Sequence, residues 1–121
     1  MKIVVGGQME KEMVVSILRK YIDAETPITV QSDIQAAMAI KTGAADYYFG
    51  ACNTGGGGAL AMAIALLGMN QCVTVAMPGN IKSDEEIRKE VQAGKKAFGF
   101  TPQAAEIVIP IIISEIKNKT L

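Results

Sequence analysis

Apolar positions in this chain alternate between two rhythms, short β-branched runs that stop at glycine or proline and longer stretches with a helical spacing. "KIVVGG" is a short apolar run ending on Gly6 and Gly7, the pattern of a first parallel strand. "QMEKEMVVSILRKYI" follows, with Met9, Met13, Ile17, Leu18, Tyr21 and Ile22 on one helical face. "PITV" predicts a second strand. "SDIQAAMAIKTG" predicts a helix that signs both its ends, with Ser32 and Gln35 as a capping box and Gly43 as the C-terminal cap. "ADYYFGA" predicts a third strand, running into a glycine loop and an apolar helix from about Gly57 to Leu67, and "QCVTVAM" a fourth strand closed by Pro78-Gly79. Ser83 and Glu86 form another capping box, acids fill that helix's first turn, and Gly94 ends it. The closing stretch "TPQAAEIVIPIIISEIKNK" has Thr101 as cap and Pro102 at the first helical position. Its "IVIPIII" core is compatible with a strand, but Pro110 suits a central strand poorly, so a helix with a local kink is expected.

The order β-α-β-α-β-α-β-α-α implies an α/β fold, a three-layer sandwich around a four-stranded parallel sheet of flavodoxin- or Rossmann-like type, with strand order 2-1-3-4. A ferredoxin-like split sheet is the alternative, and it needs hairpins for which no Asn-Gly or Asp-Gly signal appears. A length of 121 residues without a linker, charge block or repeat fits one domain over residues 1–121.

Charge removes several functions. Twelve Lys+Arg balance 12 Asp+Glu, whereas proteins that grip a nucleic-acid backbone carry a basic excess or stripe. The paired lysines at 95–96 and those at 117 and 119 have acids beside them, and nucleic acid is not expected as a partner. The apolar run from Ala59 to Met69 is too short to span a bilayer, so no membrane partner is expected either. The N-terminal sequence lacks the apolar core of a signal peptide and predicts a cytoplasmic protein with reduced thiols. With no histidine and two unclustered cysteines, no metal site and no Ser–His or Cys–His pair can be assembled. No cofactor is expected. A hydropathy this high for so small a chain suggests apolar surface shared between copies, a homo-oligomer.

Ligands of open α/β sheets sit beyond the carboxyl ends of the strands where the strand order reverses, here between strands 1 and 3. The loops expected there are Gly6-Gly7-Gln8 after strand 1, and Cys52, Asn53, Thr54, Gly55, Gly56, Gly57 and Gly58 after strand 3. Gln31, Ser32 and Asp33 follow strand 2, and Pro78, Gly79 and Asn80 follow strand 4. Glycine brings backbone N–H groups close to a ligand, and a helix start behind it adds a positive dipole end. Asn53 and Thr54 can cap that helix or donate to a ligand oxygen. A small metabolite bearing phosphate or carboxylate is the guest this arrangement suits. The alternative is that the glycines only permit close helix–sheet packing. A P-loop lacks its lysine and hydroxyl after Gly58, and a forced dinucleotide fingerprint at Gly56, Gly58 and Ala61 lacks a ribose-binding acid.

Cys52 is the candidate catalytic group, since a thiol near a helix N-terminus ionises more readily; as a free cysteine it equally reads as a small buried hydrophobe. Its setting resembles the Cys-Gly-Thr-Gly turn of pentose-phosphate isomerases, which implies isomerase or lyase chemistry on a sugar phosphate. Cys72 reads as packing, Asp46 as a residue of the opposite sheet edge, and Lys82 as solvated.

The span "AAMAIKTGAADYYFGACNTGGGGALAMAIALLG", with the later "PG", "AGKKAFGF" and the last helix containing Pro110, resembles a small bacterial YhfU-like family. The resemblance implies a cytoplasmic α/β protein of unknown function, in a family found beside enzymes of small-molecule metabolism; it assigns no catalytic residue. The alternative to a binding role is a non-enzymatic oligomer assembled through the last helix and a sheet edge.

Overall fold

A computed structural model describes residues 1–55, 58, 60–119. Among them β1 (Ile3–Gly7), β2 (Ile28–Val30), β3 (Tyr47–Ala51), β4 (Cys72–Thr74) and β7 (Ala97–Phe100) form a parallel sheet in the order β2-β1-β3-β7-β4. The helices are α1 (Lys11–Tyr21), α2 (Asp33–Thr42), α3 (Ala61–Leu67), α4 (Asp84–Gln92) and α5 (Ala105–Lys119), and β5 (Ala76–Met77) and β6 (Asn80–Ile81) make a separate antiparallel hairpin.

The α/β class with a parallel sheet and helices on both faces is as the sequence implies. The four-strand order 2-1-3-4 is corrected: "AFGF" at 97–100 is a fifth strand inserted between β3 and β4, and "QCVTVAM" is broken into β4 and the first arm of the hairpin. Right-handed crossovers then dictate the layers. The β1-to-β2 and β4-to-β7 steps run toward one edge, which places α1 and α4 together. The β2-to-β3 and β3-to-β4 steps run the other way and place α2 and α3 on the opposite face. The two cores follow this division. One joins Ile3, Val5, Phe49, Phe98 and Phe100 to α1, α4 and α5, and the other joins Val4, Tyr48 and Ala97 to α2 and Leu60.

Both capping boxes form, on Ser32–Gln35 and Ser83–Glu86. The closing stretch is helical through Pro110, preceded by a 3-10 turn at Pro102–Ala104. Its isoleucines 109, 112, 113 and 116 are buried against the chain's own sheet, so the last helix, expected as an oligomer surface, is largely spent inside.

Register puts Gly6 opposite Gly50 and Gly50 opposite Gly99, a row of three missing Cβ atoms across β1, β3 and β7 near their carboxyl ends. The Tyr48 ring lies over the first two. A Cβ on Gly6 would stand 2.9 Å from Tyr48 Cζ and Ala36 Cβ, and one on Gly50 2.8 Å from Tyr48 Cε1. Over Gly99 comes the loop after β3, where a Cβ would collide with the Gly55 carbonyl and approach Leu60 Cγ to 2.7 Å. Small-to-large changes cost ~1–3 kcal/mol in ordinary cores and more where backbone must move. Gly99→Ala is expected to remove ~3 kcal/mol or more in urea denaturation, whereas Gly43→Ala, in open space but at φ 82°, should cost only about 1–2 kcal/mol.

Glu115 is buried on α5 among the isoleucines. It accepts from Gln92 Nε2 at 2.6 Å and from Arg88 Nη1 at 3.1 Å, so both lie across the α4–α5 packing. These donors, Gln92 first, hold its carboxyl below the ordinary value of 4.5. A folded-state value below the unfolded one contributes stability that is complete above pH 4.5 and lost as pH falls through the lowered value. Thermal melts from pH 6 to 3 should therefore fall more steeply for the wild type than for Glu115→Gln.

Candidate functional site

The glycine row lets the loop after β3 fold down onto the sheet's carboxyl rim, and this decides which side chains meet there. Gly55 holds φ 83° with its Cα against the Ala76 carbonyl, a conformation and a proximity that both require glycine. Its N–H donates to the Cys52 carbonyl at 3.2 Å, closing a turn that leaves Asn53 and Thr54 exposed at the tip.

Two clefts border that tip. The first, about 390 Å³, is lined by Gln8 and Met9 from the loop after β1 and by Cys52, Asn53, Thr54 and Gly58 from the loop after β3. Gln8 crosses the gap between the loops: its side-chain amide packs so closely on Gly58 that no Cβ would fit. The second, about 650 Å³, begins at Asn53 and continues between the β5–β6 hairpin and the β7–α5 junction, lined by Met77, Pro78, Gly79, Ile81, Thr101, Gln103 and Ala104. On the β2 side a further cleft of about 350 Å³ has Gly7, Lys11, Ser32, Asp33, Ile34 and Met62 around it.

The residues expected at the crevice separate on this geometry. Gln8, Cys52, Asn53, Thr54 and Gly58 share one cleft; Gly7, Ser32 and Asp33 stand in the next. Gly6 lies beneath the Tyr48 ring, and Gly55 is buried under Ala76. Asn80 sits exposed on the hairpin, with its neighbours Gly79 and Ile81 on the 650 Å³ cavity. Gly56 and Gly57 fall outside the described residues. Thr101, Gln103, Met77 and Ile81 were not expected at the rim. The hairpin that carries two of them has Pro78-Gly79 at its turn, which reads from sequence as a strand end.

Backbone donors on the β1 side are already used. Gly7 N–H donates to the Tyr48 hydroxyl at 3.1 Å, and the Gln8 and Met9 N–H groups both donate to the Ala51 carbonyl, at 3.0 and 3.3 Å. Cys52 N–H donates to Phe100 O at 3.2 Å. The helix expected from about Gly57 begins instead at Ala61, capped by Leu60 without a side-chain bond, so Asn53 and Thr54 do not cap it. The side chains on the cleft add the amides of Gln8 and Asn53 and the hydroxyl of Thr54, the last 3.3 Å from Cys52 Sγ.

Cys52 is only 3% exposed, and its Sγ lies 3.3 Å from Thr54 Oγ1. Asp33 opens α2 with Oδ1 shielded from solvent and, among the described residues, without a hydrogen-bond partner; Gln31 Oε1 is in the same condition. Lys11 Nζ, beside them, donates to the Gln31 carbonyl at 2.9 Å. Tyr48 is fully buried, and desolvation drives its phenol well above the ordinary range, so it is a fixed neutral donor and acceptor. Cys72 starts β4 at the opposite rim, where burial pushes its thiol up. Asp46 is at that rim too, accepting from the Lys2 N–H at 2.8 Å. Among the described residues no group of three or more His, Cys, Asp or Glu side chains is placed to hold a metal ion. No described helix is long and apolar enough to cross a membrane.

A family model described as "Protein of unknown function DUF2620" matches residues 1–116. The uncharacterised protein YhfU of Escherichia coli (strain K12) is 43% identical over 104 residues, covering 83% of this chain and 89% of its own length, and the YhfU protein of Shigella flexneri matches to the same extent. No solved structure matches significantly. The chain thus belongs to the DUF2620 family of proteins of unknown function and is similar to YhfU over most of its length.

Proposed function

We propose that this protein binds a small metabolite bearing a phosphate or carboxylate group, at the carboxyl rim of the sheet between β1 and β3. The observation that carries the reading is the shared cleft: Gln8 from one loop and Cys52, Asn53, Thr54 and Gly58 from another, over forty residues away in sequence, line one 390 Å³ space at the reversal of strand order. In this reading the anion is held by the Gln8 and Asn53 amides and the Thr54 hydroxyl, which line the cleft, while the Gly7, Gln8, Met9 and Cys52 N–H groups are engaged within the protein. Cys52 is the cleft's single thiol, and its burial favours a binding role over turnover.

Binding to the folded state adds RT ln(1 + [L]/Kd), about 2.7 kcal/mol at a hundredfold excess over Kd and several degrees in Tm for a domain of this size. Thermal melts against sugar phosphates and dicarboxylates should show that shift with at least one of them. Asn53→Ala should remove it while leaving the ligand-free Tm unchanged, since Asn53 is exposed. Absence of any shift across the panel would end the proposal.

A second reading, self-association, is favoured by α3. "AMAIALL" is apolar on every side, yet of its residues only Ala63 is buried, and Ile64 is exposed, as are Ile34 and Met38 on the neighbouring α2. A helix without a polar face is ordinarily covered. Sedimentation should then report a dimer or larger species that Ile64→Lys reduces to monomer; a monomer at all concentrations would dismiss it.

A further inference from the structure

The larger cavity beside Asn53 has no role in the anion reading, and its walls are selective in their own way. Its lining residues are Asn53, Met77, Pro78, Gly79, Ile81, Thr101, Gln103 and Ala104, none of them charged. The neutrality extends along the chain: residues 47–81 hold no Asp, Glu, Lys or Arg, although the whole sequence has 12 acids and 12 bases. Much of that stretch is exposed, so its lack of charge is not explained by burial in the core. On the hairpin side Met77 and Ile81 are 46% and 43% exposed, large apolar side chains left open to the cavity. On the opposite side Thr101 is only 5% exposed, and its hydroxyl has no hydrogen-bond partner among the described residues. One wall thus offers apolar area, and the other offers hydrogen bonds from Asn53, Thr101 and Gln103.

We propose that this 650 Å³ cavity is a second subsite, which takes the uncharged, ring-sized body of the ligand whose anionic head lies between Gln8 and Thr54. The proposal rests on the binding reading above and adds the class of ligand: one anionic group, joined through Asn53's position to a neutral body with an apolar face and a hydrogen-bonding face. The volume is within the roughly 300–1,000 Å³ of small-molecule sites. A charged tail would be stripped of water against Met77, Pro78 and Ile81 with no counter-charge to meet it. The β5–β6 hairpin that forms the apolar wall has two-residue strands, marginal alone. It is tied to the sheet through Val75, whose N–H donates to Gly99 O at 2.9 Å and whose carbonyl accepts from Lys82 N–H at 2.9 Å.

Titration calorimetry with inorganic phosphate, phenyl phosphate, 3-phosphoglycerate and benzyl alcohol tests both levels. Phenyl phosphate should bind about tenfold more tightly than inorganic phosphate, from apolar area removed from water, and 3-phosphoglycerate, with its second charge, no more tightly than phosphate. The double variant Met77→Ala, Ile81→Ala changes only exposed side chains; it should lose the phenyl gain and keep the phosphate affinity. Equal affinities for phosphate and phenyl phosphate, or a gain that survives in the double variant, would overturn the second subsite and leave the head-group reading standing. Benzyl alcohol binding to the wild type but not to the double variant, with no phosphate binding, would overturn the anionic head and support the neutral chamber alone. No heat with any of the four would overturn both.

Discussion

Three absent Cβ atoms govern this molecule. Gly6, Gly50 and Gly99 stand side by side on neighbouring strands, and the shallow trough they leave is filled from the same direction by two different things. The Tyr48 ring takes the half over β1 and β3 and brings its hydroxyl to the Gly7 N–H, a polar group that would otherwise be stranded in the core. The backbone at Gly55 and the Leu60 side chain take the half over β7. Because the loop descends there, Asn53 and Thr54 are lifted to the rim and face Gln8. The shape of the candidate site is a by-product of close packing underneath it.

For the glycines the sequence leaves packing and binding open, and among the described residues close packing is what the structure shows at most of them. Gly6, Gly50, Gly55 and Gly99 serve close approach inside the protein, while Gly58 forms part of the cleft wall against Gln8. The same division applies to donors. N–H groups of Gly7, Gln8, Met9, Cys52 and Gly55 are satisfied by the protein, so in the proposed binding reading these donors are not the ones that hold the ligand. In that reading the exposed side chains of Gln8, Asn53 and Thr54 would be ordered on binding, a cost that fixed neighbouring walls would reduce.

Legibility followed the strength of local signals. Ser32–Gln35 and Ser83–Glu86 announce their helices because a capping box is written within four residues. The meeting of the β1 and β3 loops was legible as well, because strand order alone puts them together. "AFGF" carries no strand signal: it is four residues long, has no β-branched member and follows two lysines, yet it is the buried strand between β3 and β4. Its strand character comes from being covered on both faces, which no local pattern reports. The start of α3 was misplaced for a related reason, since glycine and alanine carry no capping signal and the helix begins only where Leu60 is anchored over Gly99. Thr101 and Gln103 reach the rim through that unrecognised strand.

The insertion of β7 has a consequence for how the chain comes together. β4 comes before β7 in the chain but, among the described residues, joins the sheet only through it, so pairing of 72–74 depends on residues 97–100. β1, β2 and β3, by contrast, pair among themselves within the first 51 residues. The topology thus divides the sheet into a three-stranded part paired within the first 51 residues and a part, β7 with β4, whose contacts lie later in the chain. Without β7 the outer edge of β3, with Tyr48 and Phe49 on it, would offer unpaired backbone to another strand, so β7 is also what shields that edge.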